Sequence, residues 1–515
     1  MSSIFIEQGP QSIRLDACDG ELLIDALRRG RVALQAPCGG MGKCGKCRVT
    51  LLDGQGQRTV LACQTRVQGD LHLSIALPDE PGGLICTDAP ASAAAFFPAD
   101  GRSGYGVAVD LGTTTVALQL LDLSSGRVLG ETGAWNAQAS YGADVITRTQ
   151  YVMEHENGLD VLCGVIWRQI FEHVDALCRA HLPPGETIKE LFLAGNTIMQ
   201  HIACGLSPAS IAAAPFAPQT LFLRQAPFDR QGVAVRCAPC VAGYVGGDIV
   251  AGLLCSGVSA REGRSLYLDI GTNGEMALGG RDGFLCCAVA TGPAFEGAGI
   301  SCGTASVQGA VAHVSWKQGA PLLDIVGGGP PKGICGSGLI DTLALLLDLG
   351  IVDGSGRLLP PDEAPFGFED WLGEDDNGNG IFYLTRDHAL FLSAGDVRAL
   401  QLAKAAVAAG IHVLLQKAGI SVGEVDTLYL AGGFGVHMNA QSAARIGLLP
   451  KELLAKVVCL GNASLSGARQ ALLQRKAEAA LGRIAQSCTY LELSGNCAFN
   501  RAFPEHMIFD EEDAL

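Results

Sequence analysis

Four cysteines near the start of the chain, Cys38, Cys44, Cys47 and Cys63, stand in the frame C-x5-C-x2-C-x15-C. Three thiolates in one short loop, with a fourth soon after, form the donor set of a 2Fe–2S cluster. The loop reads C-GGMGK-C-GK-C, and glycine reaches the left-handed conformations that let a backbone wrap closely round a cluster. Such turns also aim N–H groups at the sulfurs, which helps set the potential. Zinc is the competing reading, because a C-x2-C pair followed by a later cysteine has part of a zinc-ribbon look. A ribbon needs a second close pair, whereas Cys63 is followed by Gln-Thr-Arg. The chemistry expected here is one-electron transfer.

A second constellation occurs twice. YGVAVDLGTTTVALQLLD (105–122) is echoed by SLYLDIGTNGEMALGG (265–280). Each is an apolar strand ending in Asp, a hydrophobe, Gly-Thr, a further turn residue and a second strand, and the repetition predicts a duplicated two-lobe fold. The glycine permits a tight turn, and the following N–H and hydroxyl groups can bind phosphate oxygens. An aspartate at the strand end can hold Mg2+, usually through water. LYLAGGFG (428–435) adds a strand running into a Gly-Gly turn, where absent side chains leave room for a flat adenine. Other nucleotide motifs fail: there is no G-x-x-x-x-G-K-[ST], and no G-x-G-x-x-G follows a strand with a well-placed acid.

The elements that must position these residues are legible as patterns. Residues 3–16 alternate like a hairpin, 21–29 carry helical spacing, and RVTLL (48–52) and DLHLSIAL (70–77) are strand-like. That order suits a β-grasp ferredoxin domain over residues 1–80. Cys18, outside the cysteine frame, reads as a packed thiol. The Pro-, Gly-, Ala- and Ser-rich stretch that follows has linker composition, assigned to 81–103, and would let the ferredoxin swing between donor and acceptor. From 104 to 515 apolar strand-like and helical runs alternate, an α/β signature.

Composition narrows the setting. A chain of 515 residues with 48% hydrophobic content can bury a large core in two or three domains. A formal charge of −16 and a pI near 5.1 argue against nucleic acid and anionic membranes as partners. No uncharged apolar stretch reaches the roughly 18 residues of a membrane span, and the start MSSIFIEQ has no basic-then-apolar signal. Nineteen cysteines without a secretory signal read as thiols and metal ligands in the cytoplasm. Cys237 and Cys240 read as small buried thiols, and His201 and His412 as partly buried histidines. The glycines of GICGSGLID (333–341) suit either an anion at a helix N-terminus or close helix packing.

The two hairpins and the Gly-Gly strand, in this order, resemble the acetate and sugar kinase, heat-shock chaperone and actin superfamily. The resemblance implies an actin-like two-lobe ATPase domain over 104–515, binding ATP and Mg2+. By role, Asp110 and Asp269 would organise Mg2+, with Asp269 also a candidate to orient the attacking water. Gly112, Thr113, Thr114, Gly271, Thr272 and Asn273 would meet phosphates, and Gly432 and Gly433 the adenosine. For the threonines the alternative is ordinary hairpin hydrogen bonding. Glu275 would polarise the nucleophile or simply occupy a strand.

A ferredoxin joined to this ATPase fold, with LAGNTIMQHIACGLSP (193–208), AGYVGGDIVAG (242–252), TGPAFEGAGI (291–300) and LSGNCAFNRAF (493–503), is similar to the reductive activators of corrinoid proteins. The resemblance implies ATP-dependent return of inactive Co(II) to Co(I) in a methyltransferase system, with one electron passing through the 2Fe–2S cluster. Implied partners are a corrinoid protein and a low-potential electron donor; a homodimer stays open. Plant-type clusters lie near about −400 mV, and the cobalt couple is implied to lie lower. Each ~30 mV uphill opposes a one-electron step by roughly 0.7 kcal/mol, so ATP would drive the change. A small-molecule kinase, or an ATP-dependent switch with a redox-sensing ferredoxin, are the alternatives. Two departures stand out: no extra small domain separates linker and first phosphate loop, and the tail, with only Cys488 and Cys497, lacks the cysteines of a C-terminal cluster.

Overall fold

Alternating apolar residues in SSIFIEQ and QSIRLDA build the first hairpin. In the computed structural model, β1 (Ser2–Gln8) and β2 (Gln11–Ala17) pair antiparallel, with Ile4 and Ile6 fully buried. The structure describes residues 2–75 apart from 9, 10, 31, 33, 35, 37, 43, 54 and 55, and residues 99–509 apart from 225, 226 and 376. Helix α1 (Leu23–Arg29) buries Leu23, Ile24, Ala26 and Leu27 against the sheet. The strands β3 (Arg48–Asp53), β4 (Gly56–Leu61) and β5 (Leu71–Ser74) complete a five-stranded sheet of order β2-β1-β5-β3-β4. The parallel β1–β5 pair at its centre is the β-grasp arrangement. Strand β4, GQRTVL, has no apolar alternation and its first residues are exposed, so its sequence carried no strand signal. Of the expected linker, 81–98 lie outside the described residues.

The next sheet begins with β6 (Tyr105–Leu111), β7 (Thr115–Asp122) and β8 (Val128–Trp135), an antiparallel meander. After α2 (Val145–Glu154) and α3 (Gly158–His181) come β9 (Ile188–Gly195), parallel to β6, and α4 (Thr197–Ala203). Strands β10 (Phe228–Arg230) and β11 (Val233–Cys237) close the order β10-β11-β9-β6-β7-β8. Along β6 the residues alternate between two cores. Val107, Val109 and Leu111 face α3 with Ile166 and Ile170, while Ala108 faces a second cluster with the helix α5 (Gly247–Ser256).

The pattern then repeats. Strands β12 (Ser265–Ile270), β13 (Asn273–Gly280) and β14 (Gly283–Ala290) form the second meander. Inserted after it are a sheet of β15 (Ala310–Lys317), β16 (Ala320–Ile325) and β17 (Gly333–Ile334), helix α6 (Gly336–Asp348), and a sheet of β18 (Leu372–Glu374), β19 (Gly380–Tyr383) and β20 (Phe391–Ser393). Helix α7 (Ala394–Ala418) starts at a Ser393–Asp396 capping box. It is long and apolar enough to cross a membrane, yet 72% of its apolar window is buried inside the protein, where it forms the spine of this lobe. Strand β21 (Thr427–Ala431) lies parallel to β12, followed by α8 (Gly432–His437), α9 (Ala440–Arg445) and β22 (Val457–Gly461). Helices α10 (Ala463–Leu473) and α11 (Arg475–Ser487), edge strand β23 (Cys488–Tyr490) and α12 (Cys497–Glu505) end the chain. The second sheet has the order β22-β21-β12-β13-β14-β23, so β9-β6-β7-β8 of one lobe corresponds to β21-β12-β13-β14 of the other.

Two helices lie between the sheets. Residues of α5 and α10 share one core with Ala108 and Phe192 of the first sheet and Tyr267 and Tyr429 of the second. They approach on glycines: a Cβ at Gly467 would lie 2.1 Å from the Ala251 carbonyl oxygen.

Candidate functional site

Chemistry-bearing residues gather at two places. At the first, the loop after α1 and the turn at Ala62–Gln64 bring Cys47 and Cys63 together, with Cys38 close enough to bear on Cys63 and Cys44 in the same loop as Cys38 and Cys47. Cys38, Cys47 and Cys63 are buried and Cys44 partly so, and the Cys47 and Cys63 sulfurs lie 3.2 Å apart. Burial, reinforced by Cys47, pushes the Cys63 thiol up to about 11, while the Gly42 N–H aimed at its sulfur pulls the other way. Gly39, Gly40, Gly42 and Gly45 all have φ between +65° and +95°. At Gly42 a Cβ would sit 2.7 Å from Gln64 Nε2, the movable end of a side chain next to Cys63, so it is the positive φ that calls for glycine. Clustered, desolvated thiols with an N–H on sulfur fit an iron–sulfur group, whose irons would favour the thiolates. Among the described residues no three His, Cys, Asp or Glu side chains converge to hold a single ion, and a donor set spread over two irons does not require that.

The second place is the cleft where the two hairpins meet. Asp110 and Asp269 occupy corresponding positions, one residue before the ends of β6 and β12. Asp110 accepts hydrogen bonds from Asn462 Nδ2 (2.9 Å) and the Ser464 hydroxyl (2.7 Å), both at the start of α10. Burial raises its carboxyl and those two donors oppose the rise. Asp269 is pushed up to about 7 by burial and then by the charge of Asp110. Glu275 stands across the strand pair from Asp269, buried, and is raised by burial and then by Asp248 and Asp269. Asp248, in the first turn of α5, is raised to about 8 by burial and then by Asp269. Burial raises all four carboxyls, and Asp110, Asp248 and Asp269 raise their neighbours further, a charge that a cation would relieve; a hydrated Mg2+ needs only one or two of them directly.

The loops between the paired strands carry the remaining expected residues. Thr113 Oγ1 accepts from Asn196 Nδ2 (3.0 Å), and Arg148 donates to the Thr113 carbonyl (2.6 Å). The Gly112 carbonyl accepts from Asn136 Nδ2 (2.8 Å). In the other lobe the Gly271 N–H donates to the Asn273 carbonyl (3.0 Å), and the Thr291 hydroxyl bridges the carbonyls of Gly271 and Thr272. Gly432 lies against the second aspartate. It has φ +82°, and a Cβ there would lie 2.7 Å from Asp269 Oδ1. Its bareness therefore serves the aspartate, and the Gly-Gly pair opens α8 instead of forming a free turn. Gly433 is exposed, with nothing within 4 Å of its would-be Cβ, which is where a flat base has room.

Sequence reasoning passed over Asp248, Glu296, Asn196, Asn462 and Ser464. Asp248 did have a signal, a Gly-Gly-Asp step opening an apolar helix. Of the other expected features, Cys240 borders the cleft, where after burial the charges of Asp248 and Glu275 help raise its thiol, and Cys18 is exposed, not packed, while His201 and Gly338 explain themselves locally. His201 is fully buried with Nδ1 on the Thr197 carbonyl (2.7 Å). Cys237 and Cys240 are buried in the first lobe. Gly338 packs α6 against β15, a Cβ there falling 2.3 Å from the Val311 carbonyl oxygen, which favours close packing for GICGSGLID.

Comparison with known proteins follows the same division. A 2Fe–2S iron–sulfur cluster binding domain matches residues 6–68, the RACo middle region matches 105–261, and the C-terminal ASKHA domain of RACo matches 263–515. The middle region thus falls on the first lobe itself. The corrinoid activation enzyme RamQ of Eubacterium limosum is 30% identical over 421 residues, covering 79% of this chain and 70% of that protein. The [Co(II) methylated amine-specific corrinoid protein] reductase of Methanosarcina barkeri is 26% identical over 409 residues, covering 72% and 70%. A solved reductive activator for a corrinoid, iron–sulfur protein superposes with a TM-score of 0.71 at 32% identity, covering 99% of this chain and 98% of its own. With these family models matched in order along the chain and a corrinoid activation enzyme 30% identical over 79% of it, this chain belongs to the family of reductive activators of corrinoid proteins.

Proposed function

We propose that this protein is an ATP-dependent reductive activator that returns inactive Co(II) of a corrinoid protein to Co(I) within a methyltransferase system. The observation that carries the reading is the union, in one chain, of a four-thiol loop and a duplicated acidic cleft. We assign the electron-entry domain to residues 1–80, the linker to 81–103 and the ATPase to 104–515. Cys38, Cys44, Cys47 and Cys63 would hold a 2Fe–2S cluster, which supplies one-electron chemistry when bound. A low-potential donor would feed it, in the cytoplasm, where thiols stay reduced.

In the cleft, Asp110, Asp248 and Asp269 stand where a hydrated Mg2+ would relieve their mutual repulsion, and Asn462 and Ser464 fix the orientation of Asp110. Thr113, Thr114, Thr272 and Asn273 face the phosphates, with Gly112 and Gly271 keeping the loops tight. Asp269 orients the attacking water, and Glu275 beside it polarises that nucleophile. Gly433 leaves space for the base. Differential binding of ATP to open and closed cleft states would then bias the partner's cobalt toward reduction.

The test combines the purified chain, a cognate Co(II) corrinoid protein, a low-potential reductant and ATP. Co(I) absorbance should grow only with ATP. No cobalt reduction with any cognate corrinoid protein would sink the reading, and ATP turnover driven by a small phosphate acceptor instead would support a kinase.

A further inference from the structure

Glu296 belongs to none of the four clustered acids, yet it touches both phosphate loops. It ends a short 3-10 turn, Ala294–Glu296, in TGPAFEGAGI. Its Oε1 accepts from the Thr272 N–H (2.9 Å) and the Thr272 hydroxyl (2.8 Å) in the second lobe. Its Oε2 accepts from the Thr114 hydroxyl (2.9 Å) in the first lobe. One carboxylate therefore ties the two lobes together through the donors that the proposed function gives to phosphate. Carboxylate and phosphate oxygens ask for the same thing, N–H and O–H donors around a negative charge. They repel each other when brought to the same donors.

We propose that Glu296 is an internal phosphate surrogate, which the terminal phosphates of ATP must displace to engage Thr114 and Thr272. The inference rests on the assignment of these loops to phosphate. Displacement has a defined route outward. Gly297 follows at φ +76°, packed so closely on Thr304 that a Cβ would lie 2.2 Å from the Thr304 carbonyl oxygen, so the ends of the 297–304 segment are held together as one unit. Beyond it the Ser301 N–H donates to Asp396 in the first turn of α7 (2.8 Å). The Ile334 N–H donates to the Cys302 carbonyl (2.8 Å), and the Thr304 N–H to that of Ile334, just before α6. Releasing Glu296 thus frees the 297–304 segment to shift against the two long helices of the second lobe. Glu296 is in this sense a positioning residue that converts phosphate arrival into movement of the second lobe.

Titration calorimetry of the full chain with Mg2+-ATP and Mg2+-ADP tests this. Glu296→Gln removes the competing charge and should bind ATP about fivefold or more tightly than the parent, within the usual range of coupling energies, with a smaller gain for ADP. Glu296→Ala should do the same, and hydrogen exchange over 297–304 should then be fast with or without ATP. Unchanged or weaker ATP affinity in both variants would overturn the surrogate role. A Thr113→Ala/Asn273→Ala variant, which leaves every Glu296 contact in place, isolates the underlying reading. If it binds ATP as the parent does, the phosphate-loop assignment itself fails.

Discussion

Asp248 is held at about 8 by burial and by Asp269, which makes the metal-free cleft sensitive to pH in one direction. An acid whose folded pKa is raised keeps its proton in the native state while the unfolded chain loses it. The stability it contributes is complete below about pH 4 and is lost as pH rises toward 8. Asp248→Asn cannot ionise, and its amide oxygen can still accept from the Ile249 N–H as Asp248 does (2.9 Å). In EDTA the variant should match the parent near pH 5 and become more stable by roughly 1–3 kcal/mol at pH 8. A difference in thermal midpoint that stays flat across that range would show that Asp248 is not held protonated. At the thiol loop, Cys44→Ser should abolish visible iron–sulfur absorption and leave ATP binding intact; full cluster content in that variant would refute the ligand assignment. The residues that sequence revealed are those whose role is local. Asp110, Asp269 and the loop threonines announce themselves because strand, acid, glycine and threonine are consecutive. Asp248, Asn462 and Glu296 reach the cleft from other elements than the hairpins, so no repeated motif pairs them with the loops, and only Asp248 carries a local signal, the Gly-Gly-Asp step that opens its helix.

Among the elements, α5 and α10 matter most, because each starts at the cleft and runs between the lobes. Asp248 sits in the first turn of α5, and Asn462 caps α10 while holding Asp110. Their mutual approach is fixed by Gly467 against the Ala251 carbonyl, and α5 is set on β12 by Gly252 against the Tyr267 hydroxyl, where a Cβ would lie 1.8 Å away. A methyl group at position 467 cannot be absorbed by a flexible side chain, since the obstacle is backbone. Gly467→Ala should force the helices apart, cost about 1–3 kcal/mol of stability and weaken ATP binding by displacing Asn462. The iron–sulfur spectrum, carried by a separate sheet, should not change. A variant with parental thermal midpoint and ATP affinity would show that the helix contact is not limiting. The two meanders were legible as an echo because their hairpins share a local motif. The exchange of α5 and α10 between lobes was not, since a glycine-bearing apolar helix looks the same whichever sheet it covers.

At the scale of the whole molecule, the ferredoxin domain has a seat on the first lobe, and that seat lies on the segment next to the residues that hold the first phosphate loop. Arg28 at the end of α1 donates through Nε to the Ser140 carbonyl (3.0 Å) and through a terminal nitrogen to the Gly39 carbonyl (2.9 Å), beside Cys38. Its guanidinium lies 4.7 Å from the Tyr141 ring centroid and 5.6 Å from that of Tyr151, a cation–π arrangement worth about 0.5–2 kcal/mol. On the other side of the seat, Asn136 donates to the Gly112 carbonyl through its side chain and to the Thr114 carbonyl through its N–H (both 2.8 Å). Buried Arg148 links the Gly142 carbonyl (2.9 Å) to that of Thr113. A change in the phosphate loop therefore bears directly on residues 136–142, and through them on the docked ferredoxin. Loss of the guanidinium removes its charge-assisted hydrogen bonding to the Ser140 carbonyl and the ring contacts, enough to shift the docked population by about tenfold or more. Arg28→Ala should accordingly increase the radius of gyration in small-angle scattering. Because Arg28 also touches the cluster loop, Tyr141→Leu serves as the second arm: it weakens the seat from the ATPase side and should expand the molecule while leaving the iron–sulfur spectrum unchanged. If both variants scatter like the parent, Arg28 does not hold the domains together, and coupling between nucleotide and cluster must run through the partner protein instead.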